Sequence, residues 1–158
     1  MFGDSNKIYV IDTVINPTSE TTFLVGNNSI LKFTRNGQFG DNCIIDCATP
    51  LEIEAGMHKV FGAGTIKAIL KNPIVYPEWW GAVGDGLTDD APAINRCILA
   101  AHRNTVFLGQ SFYRITSGPI LIREKLADVT RYEPLGLSST TGESETYWIY
   151  TNKEGVTL

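Results

Sequence analysis

Short apolar runs separated by small, turn-forming residues dominate the chain as far as Leu70. The runs fall at residues 22–25, 30–33, 43–46, 51–54, 59–61 and 65–69, and their starts recur every 6 to 13 residues. Between them lie Gly26-Asn27-Asn28, Asn36-Gly37, Gly40-Asp41-Asn42, Ala48-Thr49-Pro50, Ala55-Gly56 and Gly62-Ala63-Gly64. Such residues supply positive φ and chain reversals, so the pattern predicts many short strands joined by tight turns. Within 51–55 the alternation has period two: Leu51, Ile53 and Ala55 share a buried face, and Glu52 and Glu54 point the other way. Residues 65–69 repeat it. Strands this short, with no helices between them, fit either a small sandwich or a solenoid of stacked coils.

The pattern changes at Asn72-Pro73. Prolines 73 and 77 interrupt any strand and introduce Tyr76-Pro77-Glu78-Trp79-Trp80-Gly81, then Gly84-Asp85-Gly86-Leu87-Thr88-Asp89-Asp90. Thr88 reads as a helix N-cap with Asp89 and Asp90 in the first turn, where the helix dipole favours negative charge, and Pro92 is early enough to be tolerated. Ile94, Cys97, Ile98 and Ala101 then form one apolar stripe, with Asn95, Arg96 and Arg103 off it, which predicts an amphipathic helix over 89–102 laid on a β core. Strands return at 105–108, 112–116 and 119–122. The expected organisation is an N-terminal arm over 1–20, a strand-rich segment over 21–72, a helix-bearing segment over 73–122, and a polar segment over 123–158. That last segment holds a loop at 138–143 and a strand at 146–151. The arm and the polar segment read as docking segments that order on contact with a partner.

Composition narrows the classes. With 158 residues and 43% hydrophobic content the chain can bury a core without disulfides or metal. Thirteen basic against 17 acidic residues give a net charge of −4 with no basic block, which argues against nucleic acid as a partner. Neither a long apolar run nor a signal-like N-terminus is present, so no membrane partner and no secretory route are expected. Cys43, Cys47 and Cys97 are odd in number and read as free thiols.

Each chemistry-bearing group has a structural alternative. Glu52 and Glu54 would stand about 7 Å apart on one strand face, within the range for inverting glycosidases, but period two also describes a solvated outer face. Asp85, Asp89 and Asp90 look acidic enough for a catalytic or metal site, yet turn and capping chemistry accounts for all three. Trp79 and Trp80 could stack on sugar rings, fill a subunit interface or plug the core beneath the helix. Cys43, Cys47 and His58 have zinc-ligand chemistry, but a strand would hold the two sulfurs apart and a fourth ligand is lacking. His58 and His102 lack triad partners, and Gly62-Ala63-Gly64-Thr65 lacks the lysine and helix of a phosphate loop. No catalytic residue, metal ligand or cofactor is therefore assigned.

The string Glu78-Trp79-Trp80-Gly81-Ala82-Val83-Gly84-Asp85-Gly86-Leu87-Thr88-Asp89-Asp90, a helix, then Thr105-Val106-Phe107-Leu108 and Phe112-Tyr113-Arg114-Ile115 resembles the N-terminal opening of the pectate-lyase-like superfamily of right-handed parallel β-helices, phage tailspikes among them. The likeness spans residues 76–122 and departs from the family at Gly109-Gln110-Ser111, where a proline-glycine pair is usual. It implies a mainly β chain forming a short right-handed parallel β-helix (solenoid) with one amphipathic capping α-helix. Trp80, Gly81, Gly84, Asp85, Gly86, Thr88, Asp89 and Asp90 become fold determinants, Trp80 in the core, with Trp79, Glu52 and Glu54 left as interface or glycan contacts. It further implies a homotrimer in the virion tail, synthesised in the host cytoplasm, whose partners are other tail proteins and bacterial surface polysaccharide. A coil takes about 20–30 residues, so residues 123–158 can add at most one or two coils, few of the family's catalytic carboxylates can be present, and an anchoring or adaptor role follows. The alternatives are the N-terminal part of a polysaccharide lyase or glycosidase, and a carbohydrate-binding module.

Overall fold

The computed structural model describes residues 2–102, 104–109 and 112–117, and beyond them the strand backbone at Ile120–Ile122, Leu135–Gly136 and Trp148–Thr151. The chain is mainly β with one α-helix. In order it forms β1 (Ile8–Ile11), β2 (Val14–Ile15), β3 (Thr21–Leu24), β4 (Ile30–Phe33), β5 (Gln38–Phe39), β6 (Cys43–Asp46), β7 (Glu52–Glu54), β8 (Thr65–Ile66) and β9 (Ile74–Val75). A 3-10 turn at Pro77–Trp80, β10 (Asp85–Asp89), α1 (Ala91–Ala100), β11 (Thr105–Val106) and β12 (Phe112–Arg114) follow, and β13, β14 and β15 are the three later strands.

From β1 to β12 no strand pairs with the one that follows it. β1, β4 and β7 form one parallel ladder, β3, β6 and β8 a second, and β2 with β5 a third that Phe61 extends through a parallel bridge to Phe39. Ile8 faces Ile30, and the ladder contact from Lys32 to Glu54 spans the same 22 residues. Steps of 21 to 24 residues superimpose like positions, so apolar residues at the inward phase of each strand stack on one another: Tyr9, Leu31 and Ile53; Phe23, Ile45 and Ile66; Ile15, Phe39 and Phe61. Leu31, Ile45, Ile53, Phe39 and Phe61 are buried, each worth about 1.5–3 kcal/mol relative to exposure. Stacking like positions brings backbones close. A Cβ on Gly37 would meet Ile11 O at 1.8 Å, and one on Gly64 would meet Cys43 O at 2.0 Å, so glycine is required at both turns.

The first strands correct the expectation of a free N-terminal arm over 1–20. Its apolar residues are drawn into the same ladders, β1 and β2 lie in them, and Phe2 packs on Tyr9, Phe23 and Phe39 at ring separations of 5.2, 5.7 and 5.7 Å. Aromatic contact continues through Phe33 and Phe61 to Trp80, Trp79, Tyr76 and Phe107. The ladder of β7 ends on a side chain: Asn72 Oδ1 accepts from Ile53 N at 2.9 Å and its Nδ2 donates to Ile53 O at 2.8 Å, as a neighbouring strand's backbone would. Asn104, buried, donates in turn to Leu70 O and Asn72 O.

Helix α1 buries Ala91, Ala93, Ile94, Cys97 and Ile98, with Ala101 enclosed just beyond, and packs on the 3-10 turn whose Trp80 meets Phe61 at 5.3 Å. The stripe read from the sequence is thus the buried face. Its start differs from expectation. Asp85 and Asp89 pair with β12, facing Phe112 and Arg114, across an irregular stretch that holds a turn at Asp85, so the helix begins at Ala91 and Asp90, not Thr88, is the N-cap residue. Pro92 then sits in the first turn, where no N–H is needed. The expected loop at 138–143 lies outside the described residues, and the strand expected at 146–151 is β15, parallel to β13 and antiparallel to β14.

Candidate functional site

The acidic turn before α1 is where the structure concentrates polar side chains. Gly81, Gly84 and Gly86 have φ of 93°, 65° and 73°, the left-handed region that glycine enters without a Cβ penalty. Between them the chain doubles back so that three carboxylates collect backbone donors. Asp85 Oδ1 accepts from Leu87 N at 2.8 Å and Thr88 N at 2.7 Å, and Oδ2 accepts from the Thr88 hydroxyl at 2.9 Å. Those bonds, the Thr88 N–H first, hold the Asp85 carboxyl below its ordinary range. Asp89 Oδ1 accepts from Ala91 N at 3.2 Å and Thr116 N at 3.0 Å. The Ser117 hydroxyl and then the Thr116 N–H pull it down to about 2.

Asp90 is 1% exposed and is the knot of the region. Oδ1 accepts from Val83 N at 2.7 Å, Oδ2 from Gly84 N at 3.2 Å and Arg114 N at 3.3 Å, while its own N–H donates to Arg114 O at 2.7 Å and its carbonyl accepts from Ile94 N. One residue therefore ties the glycine turn, the helix start and β12 together. The Thr88 hydroxyl, expected to cap the helix, locks the Asp85 turn instead.

A second polar pair lies beneath the turn. Glu78 is 9% exposed; Oε1 accepts from the Tyr113 hydroxyl, Tyr113 accepts from Gly109 N at 3.2 Å, and Oε2 is enclosed with no hydrogen-bond partner. Burial, then the Glu78 carboxylate, pushes the Tyr113 phenol up to about 12. Sequence reasoning did not single out Glu78 or Tyr113. The available signal was a lone acid between proline and two tryptophans, where every neighbour is destined for the core.

The remaining candidates separate. Trp80 is buried as expected, but Trp79, considered for a surface, an interface or a glycan contact, is 1% exposed because its ring fills the core and its Nε1 donates to Gly56 O at 3.0 Å. Glu52 and Glu54 share the outer face and pair with Lys71, at 2.9 Å, and with Lys32. Neither carboxylate meets a group that would prepare it for proton transfer. Cys43, Cys47 and Cys97 form no disulfide; the buried Cys43 thiol donates to Ile15 O at 3.3 Å, and burial pushes its titration up. His58 Nε2 contacts Thr34 O at 3.0 Å. Among the described residues no group of three or more His, Cys, Asp or Glu side chains is placed to hold a metal ion, and no helix is long and apolar enough to cross a membrane.

No protein-family model, curated protein or solved structure matches this chain. The chain is therefore defined by its own geometry: a mainly β protein with parallel ladders, whose conspicuous acids are hydrogen-bonded to backbone.

Proposed function

We propose that the chain is a structural component of a phage tail, an anchoring or adaptor piece of tailspike type that performs no chemistry of its own. In this reading its parallel ladders wind as a short right-handed parallel β-helix of the pectate-lyase-like kind, with α1 as the cap. The observation that carries the reading is Asp90: the acid of the Gly-Asp-Gly-x-Thr-Asp-Asp string is spent on three backbone N–H groups that join turn, helix and strand. Asp85 and Asp89 are spent likewise. Residues used this way build a rigid end to a stack of coils, which is what an anchoring piece needs.

The reading extends to a homotrimer seated among other tail proteins in the virion, near bacterial surface polysaccharide. Imaging intact particles and counting copies of the chain tests it. A defined, stoichiometric position in the tail is the expected result. Absence from purified particles, or degradation of a bacterial polysaccharide by the isolated chain, would overturn it.

A further inference from the structure

β1 is an edge strand without the usual protection. Its residues Ile8, Tyr9, Val10 and Ile11 include no charge and no proline, its register with β4 is unbroken, and among the described residues no strand lies on its other side. Natural edges of this kind normally carry a lysine, a proline or a bulge that blocks pairing. In a parallel ladder alternate residues bond to a given neighbour. Ile30 N donates to Lys7 O at 2.8 Å and Thr34 N to Ile11 O at 3.0 Å, so Lys7, Tyr9 and Ile11 face β4. The N–H and C=O groups of Ile8 and Val10 therefore face the open side.

The side chains of the same two residues are 60% and 57% exposed. Their register partners are Ile30 and Lys32 on β4, then Glu52 and Glu54 on β7, with Lys32 paired to Glu54. The outer face is thus charged two strands in and wholly apolar at the open edge. Free backbone groups and bare apolar side chains coincide at two residues of one strand.

We propose that two copies of this chain join through β1, antiparallel, about a two-fold axis at Tyr9. Ile8 of one copy then stands opposite Val10 of the other, each such pair exchanges both N–H···O bonds, and the two apolar side chains cover one another on the outer face. Charge selects the direction. Lys7 and Asp12 flank the strand, so antiparallel pairing brings the basic end of one copy to the acidic end of the other, whereas parallel pairing sets like charges together. The inference stands on pairing and exposure and does not depend on the tail assignment: in a trimer the same contact joins two trimers, and the mass still doubles.

The test is the mass of the purified full chain, by light scattering and native mass spectrometry at micromolar concentration, against Val10→Pro. Proline removes an outward N–H that β4 does not use, so it spares the existing ladder. The expected result is a native assembly of twice the mass of the variant's; equal masses overturn the proposal. Because Val10→Pro could fold poorly, a double variant, Ile8→Cys with Val10→Cys, provides a separate readout. Opposed residues of a hydrogen-bonded antiparallel pair lie about 5.5 Å apart at Cα, within disulfide reach. With the half-buried Cys47 replaced by serine in both chains, mild oxidation should give a covalent dimer of the double variant that reductant reverses, while the chain without the two new cysteines, its Cys43 and Cys97 buried, stays uncrosslinked. No covalent dimer from the double variant would equally overturn it.

Discussion

Asp90 shows how a residue that reads as catalytic becomes architectural. Three backbone donors converge on a carboxylate that is almost wholly enclosed. Asp90→Ala strands those donors and should cost about 3–5 kcal/mol in denaturant unfolding, with Asp90→Asn retaining part of it. Asp89 is exposed to pH instead. Its folded value of about 2 lies below the ordinary 3.8, so its contribution is complete above pH 4 and disappears as pH falls from about 4 to about 2. The melting-temperature gap between the native chain and Asp89→Asn should therefore be open at pH 5 and close by pH 2. Tyr113 has the opposite sign. Its phenol, raised from 10.0 to about 12, favours folding below pH 10, and that advantage is lost as pH rises from 10 to 12. Spectrophotometric titration at alkaline pH should show a late-ionising component that is lost in Tyr113→Phe.

At the scale of elements, strands carried by a local apolar run were legible, β3, β4, β6 and β7 among them, while β1, β2, β5, β9 and β10 were not, and no strand's partner was. Period two placed Leu51 and Ile53 inside and Glu52 and Glu54 outside, and the structure agrees, with Lys71 and Lys32 as the acids' partners. The stripe Ile94, Cys97 and Ile98 likewise marks the buried face of α1. Helix capping misled because Thr88 is a good cap by local chemistry, while the Asp85 turn takes its hydroxyl and pairing of Asp85 and Asp89 with β12 shifts the cap to Asp90. The side-chain strand mimic at Asn72 had no local signature either. Removing it by Asn72→Ala leaves the Ile53 N–H and C=O without their partner, at a cost of about 1–3 kcal/mol in equilibrium unfolding.

At the scale of the molecule, close stacking of ladders sets the tolerance of the whole. Gly37 shares its turn with the Ile11 carbonyl, so Gly37→Ala must force two strands apart, and an overpacking cost of about 3 kcal/mol or more is expected from chemical denaturation. The run of aromatic contacts from Phe2 to Phe107 crosses all three ladders and the 3-10 turn beneath α1. It explains why the residues expected to form a free arm are part of the folded unit: Phe2 is the first ring of that run.

The sequence by itself determined the strand faces, the helix stripe and the glycine-aspartate turn, because each depends on residues within a few positions of one another. Tertiary structure alone decided which strand lies beside which, that Trp79 and Glu78 are enclosed, and that Asp90 is the knot. Those outcomes come from hydrogen bonds and packing between residues 6 to 35 positions apart, and no local period encodes them.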